Sequence, residues 1–280
     1  MNHIDPQIAS IAQNVEYCLT GAKLYGDDFT EDQIRQWFRD EEQGYYNLGS
    51  NNKEQYAYGY HALNVHHGYS VLPDRKFKHV LGLGSAYGDE LYPILDKSSH
   101  VTILEPADGF SRDLVRGIPV NYVKPDPSGN LPFESGTFDL ISCLGVLHHI
   151  PNVSKVVREI FRCLEPGGYA LIREPIHSMG DWRKPRPGLT RRERGIPLNI
   201  FRKIIQESGF EVIREKKCMF SLTARLHFMM RTPVYGNKLV VFIDDLISNL
   251  PIWPTRYHAT NAIYKLRPTS VFFVLRRPEN

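Results

Sequence analysis

Three glycines, two acids and two histidines carry most of the chemistry this sequence can do. Gly82, Gly84 and Gly88 follow an apolar run that includes Val80, Leu81 and Leu83. Glycine adopts backbone angles closed to other residues and lets a ligand approach the main chain, so a strand, a glycine turn and a helix suggest half of a nucleotide-binding βα unit. A tight turn with no ligand is the plainer reading, and the downstream residues decide between them. About twenty residues on, His100 to Glu105 reads as a second strand ending in a carboxylate, placed to accept both hydroxyls of a ribose. His148 and His149 follow a fourth apolar strand, where an imidazole with a pKa near neutrality can exchange a proton. Glu174 and His177 follow the fifth. Residues 176–198 hold six basic side chains, Arg183 and Arg186 among them, against two acids. A guanidinium matches phosphate or carboxylate bidentately; the alternative is a loop whose charges pair with the protein's own acids.

These residues need a scaffold, and the hydrophobic pattern supplies one. Strands are expected at about 80–83, 100–104, 120–124, 138–143, 169–175, 211–218 and 270–277, with helices after the glycine turn (from Asp89), at 110–116, 153–164 and 199–208. Val153, Val156, Val157, Ile160, Phe161 and Leu164 keep a 3.6-residue period, and Glu165-Pro166-Gly167-Gly168 ends that helix. Strands alternating with helices predict an α/β fold with a doubly wound, seven-stranded, mostly parallel sheet. Before it, Ile8, Ile11, Ala12, Val15 and Leu19 have helical spacing, and Thr30 with Gln33 makes a capping box. Tyr45, Tyr46, Tyr56, Tyr58, Tyr60 and Tyr69 form either a lid over a ligand or a dock for the N-terminal helices. Residues 1–76 therefore read as a helical, tyrosine-rich cap, and 219–268 as a helical insertion before the last strand.

Composition narrows the class. The chain has 280 residues, 42% apolar and 23% charged, and a net charge of +3, too small to imply nucleic acid. The four cysteines, Cys18, Cys143, Cys163 and Cys218, have no metal-ligand spacing, and no metal is expected. Buried thiols and no basic-then-apolar start point to the cytoplasm. Leu239 to Trp253 is the nearest approach to a membrane span, broken by Asp244, Asp245 and Pro251. Its apolar helices leave peripheral membrane contact open.

Taken in order, the glycine turn, Glu105, Leu131-Pro132-Phe133, Phe138-Asp139-Leu140-Ile141, Leu147-His148-His149-Ile150 and Leu164-Glu165-Pro166-Gly167-Gly168 resemble the class I S-adenosylmethionine-dependent methyltransferases, specifically the small-molecule group with a type 11-like domain. The resemblance covers about residues 78–217 and 269–277, and makes 77–280 a methyltransferase domain. It implies S-adenosyl-L-methionine as cofactor. Gly82, Gly84 and Ser85 would line its methionine part, Glu105 and Pro106 its ribose, Asp126 its adenine amine, and Leu144 and Gly145 the sulfonium. Family members carry an acid where this chain has Gly82 and a glycine where it has Ala86, and the stretch from Asp126 to Leu131 is one residue longer. Methyl transfer to a small-molecule acceptor follows, at oxygen by preference and to an anionic sugar or glycan precursor if the loop arginines bind substrate. His148, His149 and Glu174 are the candidate bases; His177, Arg183 and Arg186 are the candidate acceptor ligands. A non-catalytic cofactor-binding protein and an NAD(P)-dependent oxidoreductase are the alternatives. A monomer and a homodimer are equally compatible with the sequence.

Overall fold

The computed structural model describes residues 14–50, 52–54, 56–230 and 233–279. Ile8, Ile11 and Ala12 lie outside them. The centre is a sheet of β1 (Phe77–Leu83), β2 (Ser98–Leu104), β3 (Leu114–Val115), β4 (Ile118–Val123), β5 (Phe138–Leu144), β6 (Leu164–Pro175), β7 (Glu211–Phe220) and β8 (Pro268–Arg276). The strand order is β3-β4-β2-β1-β5-β6-β8-β7. Strands β4, β2, β1, β5 and β6 run parallel, and β8 is antiparallel to both β6 and β7. All seven residues of β5 are buried. A parallel strand covered on both faces reads as an unbroken apolar run, which is why Phe138 to Leu144 has no polar alternation.

Helices α1 (Glu31–Glu41), α2 (His61–His67), α3 (Val153–Cys163), α4 (Leu198–Glu207), α5 (Ser221–Met229) and α6 (Lys238–Ser248) surround the sheet. One core packs α3 and α4 against Leu81, Ile141, Cys143 and Ile172. The other packs Leu63 of α2 and Val241 of α6 against Val80, Leu140 and Leu171. Neighbouring residues of one strand thus serve opposite faces. The four cysteines are buried and free. The capping box at Thr30 and Gln33 is present. On α3, Glu159 and Arg162 clamp the preceding turn: Leu131 N donates to Glu159 (2.9 Å), and Arg162 donates to the carbonyls of Leu131 (3.0 Å) and Phe133 (2.8 Å).

Several expected elements differ. The crossover after the glycine turn is two 3-10 turns, Asp89–Leu91 and Leu95–Lys97, because Pro93 has no N–H for a continuing helix. Residues 110–116 are not a helix; Leu114–Val115 pairs antiparallel with β4 through a tight turn and adds an eighth strand. Glu165-Pro166-Gly167-Gly168 lies inside β6 as an irregularity, and α3 stops at Cys163.

The cap is joined to the sheet by Trp37, 1% exposed, whose indole donates to the His149 carbonyl (2.6 Å) and whose ring meets Tyr25 and Phe29. Trp37→Ala is expected to lower unfolding free energy by about 3–5 kcal/mol, from lost contacts and a residual cavity. Trp37→Phe should cost less, since it keeps part of the ring. Urea denaturation midpoints of the three proteins check the order; equal midpoints would contradict it.

Candidate active site

A cavity of about 970 Å³ opens at the C-terminal ends of β1, β2, β5 and β6. Open α/β sheets bind ligands at these ends. Gly84, Ser85, Glu105, Pro106, Asp126, Leu144, Gly145, His148, His149, Glu174 and His177 all line it. Gly82, Arg183 and Arg186 do not.

The Gly82 position explains its own departure from the family pattern. A Cβ there would fall 2.3 Å from Ser85 Oγ, so an acid at this position requires the Ser85 side chain to move. A different acid occupies the neighbourhood. Glu90 lines the cavity and its Oε1 accepts from Ser85 (2.7 Å) and from Ser142 (2.8 Å), the register partner of Gly82. Burial pushes Glu90 up to about 7, against the pull of the two hydroxyls. The sequence placed Glu90 beside Asp89 at a helix start and gave no sign that it turns back.

Ala86 sits at φ 46°, a left-handed conformation that favours glycine. Its N–H donates to Glu105 Oε2 (3.0 Å) and its carbonyl accepts from Tyr122 (2.8 Å), which hold the turn despite the methyl group. Glu105 Oε1 accepts from Ala107 N (3.1 Å). Each oxygen has a further lone pair, and burial raises this carboxyl to about 7 against the two amides. Gly84, at φ 63°, brings the turn so near the loop after β5 that a Cβ would lie 2.6 Å from Val146.

Glu174 is fully buried beneath the loop after β5. It accepts from the amides of Val146 (2.8 Å), Leu147 (2.7 Å) and His148 (3.3 Å), and from His148 Nδ1 (2.7 Å). These partners tie Glu174 to the loop. Burial alone would push His148 down, but Glu174 and Glu193, whose Oε2 is 3.3 Å from Nε2, hold it at about 9. A ring with that pKa carries a proton on each nitrogen at neutral pH, with Nδ1 donating to Glu174 and Nε2 facing Glu193. His149 differs. Its Nδ1 is 2.9 Å from Glu41 Oε2, while its Nε2 is 3.8 Å from Glu193, beyond hydrogen-bond reach. Its Nδ1 side is thus engaged by Glu41, and its Nε2 has no hydrogen-bond partner at that distance from Glu193.

Glu41 and Glu193 were not singled out in the sequence, because each reaches the histidines from a distant segment. Two groups of described residues hold three donor atoms within 4.8 Å, His148–His149–Glu193 and His66–His67–Asp245; in both a histidine already faces its carboxylate as a pair, and no metal is assigned.

The two loop arginines expected to meet an acceptor are engaged internally. Arg183 is paired with Asp181 (2.8 Å), and Arg186 donates to the carbonyls of Met179, Thr190 and Arg191. Arg194, fully buried, donates to carbonyls of Tyr25, Leu147, His148, Ile150 and Pro151 and so locks the histidine loop. The cavity's cations are instead Arg173, Lys184, Arg225, Lys265 and Arg267. Burial, with Arg267 and His148 nearby, pushes His177 down to about 3, and its Nδ1 accepts from Met179 N (3.1 Å). Tyr45, Tyr46, Tyr56, Tyr58 and Tyr60 line the cavity. Tyr60 is also docked under the Arg173 guanidinium (4.3 Å), while Tyr69 packs into the core. The tyrosines are wall and dock together.

Strand order, the glycine turn and the acid ending β2 define a Rossmann-like fold of the class I methyltransferase type. A family model described as "Methyltransferase domain" matches residues 81–172. The chain is 32% identical over 56 residues to ubiquinone biosynthesis O-methyltransferase of Shewanella pealeana, 20% of this chain and 24% of that protein. It is 28% identical over 163 residues to phthiotriol/phenolphthiotriol dimycocerosates methyltransferase 1 of Mycobacterium ulcerans, 52% of this chain and 57% of that protein. The chain thus spans under two thirds of each. Haemonchus contortus phospholethanolamine N-methyltransferase 2, solved with phosphomonomethylethanolamine and S-adenosylhomocysteine, shares the fold at TM-score 0.53 and 15% identity, over 88% of this chain and 60% of that one.

His148 gives a test. Its folded pKa lies above the unfolded value of about 6.5, so its stabilisation is complete below that pH and is lost as pH rises through about 9. NMR titration should find the His148 ring charged at neutral pH, with the midpoint lowered in Glu193→Gln. A neutral ring at pH 7 in the wild type would contradict the ion-pair geometry.

Proposed function

We propose that this chain transfers the methyl group of S-adenosyl-L-methionine to an oxygen of a small-molecule acceptor. The observation that carries this reading is Glu105 beside the Gly84–Ala86 turn, with unfilled lone pairs on a cavity at the strand ends. The cofactor, when bound, supplies a methyl group on an already activated sulfonium leaving group. Glu105 holds the ribose hydroxyls and Pro106 packs beside them. Ser85, Gly84 and the relocated acid Glu90 receive the methionine end, where Glu90 does what an acid at position 82 does in the family. Asp126 serves the adenine amine, and Leu144 and Gly145 form the floor near the transferred methyl. The volume is enough for the cofactor and an acceptor together.

Holding acceptor and methyl in line supplies much of the rate. His149 takes the acceptor's proton on Nε2, and Glu41 orients the ring. His148 and Glu174 shape the loop and touch no proton in transit. An aromatic wall from Trp37 to Tyr60 favours an acceptor with a flat or apolar body. Lys184, Arg225, Lys265 and Arg267 would meet an anionic group on it, in place of Arg183 and Arg186. The oxygen preference is supported by the name of the Shewanella relative, an O-methyltransferase.

Calorimetric titration tests the reading. S-adenosylmethionine and S-adenosylhomocysteine should bind at micromolar concentration, and Glu105→Ala and Glu90→Ala should each weaken binding by about tenfold or more, the worth of a lost charged hydrogen bond. No binding, or tighter binding of NADPH, would overturn it.

A further inference from the structure

Helix α6 is turned inside out. Leu239, Phe242, Ile243 and Leu246 recur at i, i+3, i+4 and i+7 on one face, and that face is exposed; Leu239 is 66% and Leu246 58% accessible. The polar residues Asp244 and Ser248 face inward and are fully buried. Polar bonds lock this orientation. Asp244 accepts from the amides of Met219 and Phe220, both 2.8 Å, and from the Thr223 hydroxyl. Asp245 accepts from His66 (3.0 Å), and Asn249 pairs with both backbone groups of Lys217. Turning the apolar face inward would unmake all of these, so the exposure is built into the fold. Leu250 and Ile252 extend the apolar surface beyond the helix.

The segment that carries this face exposes charge of one sign. Among the described residues from Ser221 to Arg267, the exposed charged side chains are Arg225, Lys238, Arg256 and Lys265, all basic, and both acids are turned inward. We propose that this face docks the protein on the surface of an anionic lipid bilayer, apolar side chains entering the acyl boundary and basic ones meeting the headgroups. A second copy on the same face would bring like charges together. No helix among the described residues is long and apolar enough to cross a membrane, so the contact is peripheral. Arg225 and Lys265 also line the cavity, so docking sets its edge at the lipid surface. The proposal stands independently of the methyl-transfer reading.

Flotation of the full chain with vesicles tests it. The protein should rise with vesicles of phosphatidylglycerol and phosphatidylcholine in equal parts, stay behind with phosphatidylcholine alone, and be released by salt. Lys238→Glu and Arg256→Glu should each weaken partitioning by about fivefold or more. The pair Phe242→Glu and Leu246→Glu should weaken it by about tenfold or more, with circular dichroism and thermal midpoint unchanged, as exposed positions allow. Wild-type protein that stays behind with both vesicles, or binding indifferent to the Phe242 and Leu246 changes, would overturn the proposal. So would light scattering that shows a dimer dissociated by Phe242→Glu, which would give the face to a second copy.

Discussion

One buried carboxylate organises the ligand end of this molecule. Glu174 ends β6 with no solvent exposure and takes three consecutive loop amides and one imidazole N–H. The loop after β5 carries Gly145, His148 and His149, so the cavity floor and both histidines take their places from this one group. Without it, three amides would lose their acceptor, at about 1–3 kcal/mol each if they stay buried. Arg194 completes the arrangement from the opposite side by taking the loop's carbonyls. Backbone donors of the loop go to an acid on β6, and backbone acceptors to a base from the 176–198 segment.

The glycine turn shows the same economy of groups. Glu105 closes a left-handed turn at Ala86 that would otherwise be strained, and the same oxygens face the cavity. Glu90 fills the polar niche that Gly82 leaves and gathers Ser85 and Ser142 around it. In the proposed function, folding and ligand binding draw on the same carboxylates. The departure at position 82 is met by Glu90 beside it, and the one at position 86 by Glu105 and Tyr122.

The strands, their alternation with helices and the position of Glu105 were legible in the sequence because each is a local pattern of a few residues. The crossover after the glycines was not, since Pro93 in place and Gly88 before it favour 3-10 turns over a helix. Side chains that act across long separations were hidden for a different reason. Glu41 reaches His149 from 108 positions away, and Glu193 lay among arginines that drew attention as anion ligands. Those arginines are held by the protein's own carbonyls and acids, which no spacing rule reveals. Helix α6 is the sharpest case: an apolar run reads as core, but Asp244 in the same helix binds the end of β7 and decides which face turns inward.

Amide hydrogen exchange in Glu174→Gln tests the organising role of Glu174 most directly. The amides of Val146, Leu147 and His148 should lose protection, by about tenfold or more for the loss of a charged acceptor. Those of Lys78 and His79, held by Asp139 at the start of β1, should keep theirs. Unchanged protection at 146–148 would contradict the account, because the loop would then be held by something other than the Glu174 carboxylate.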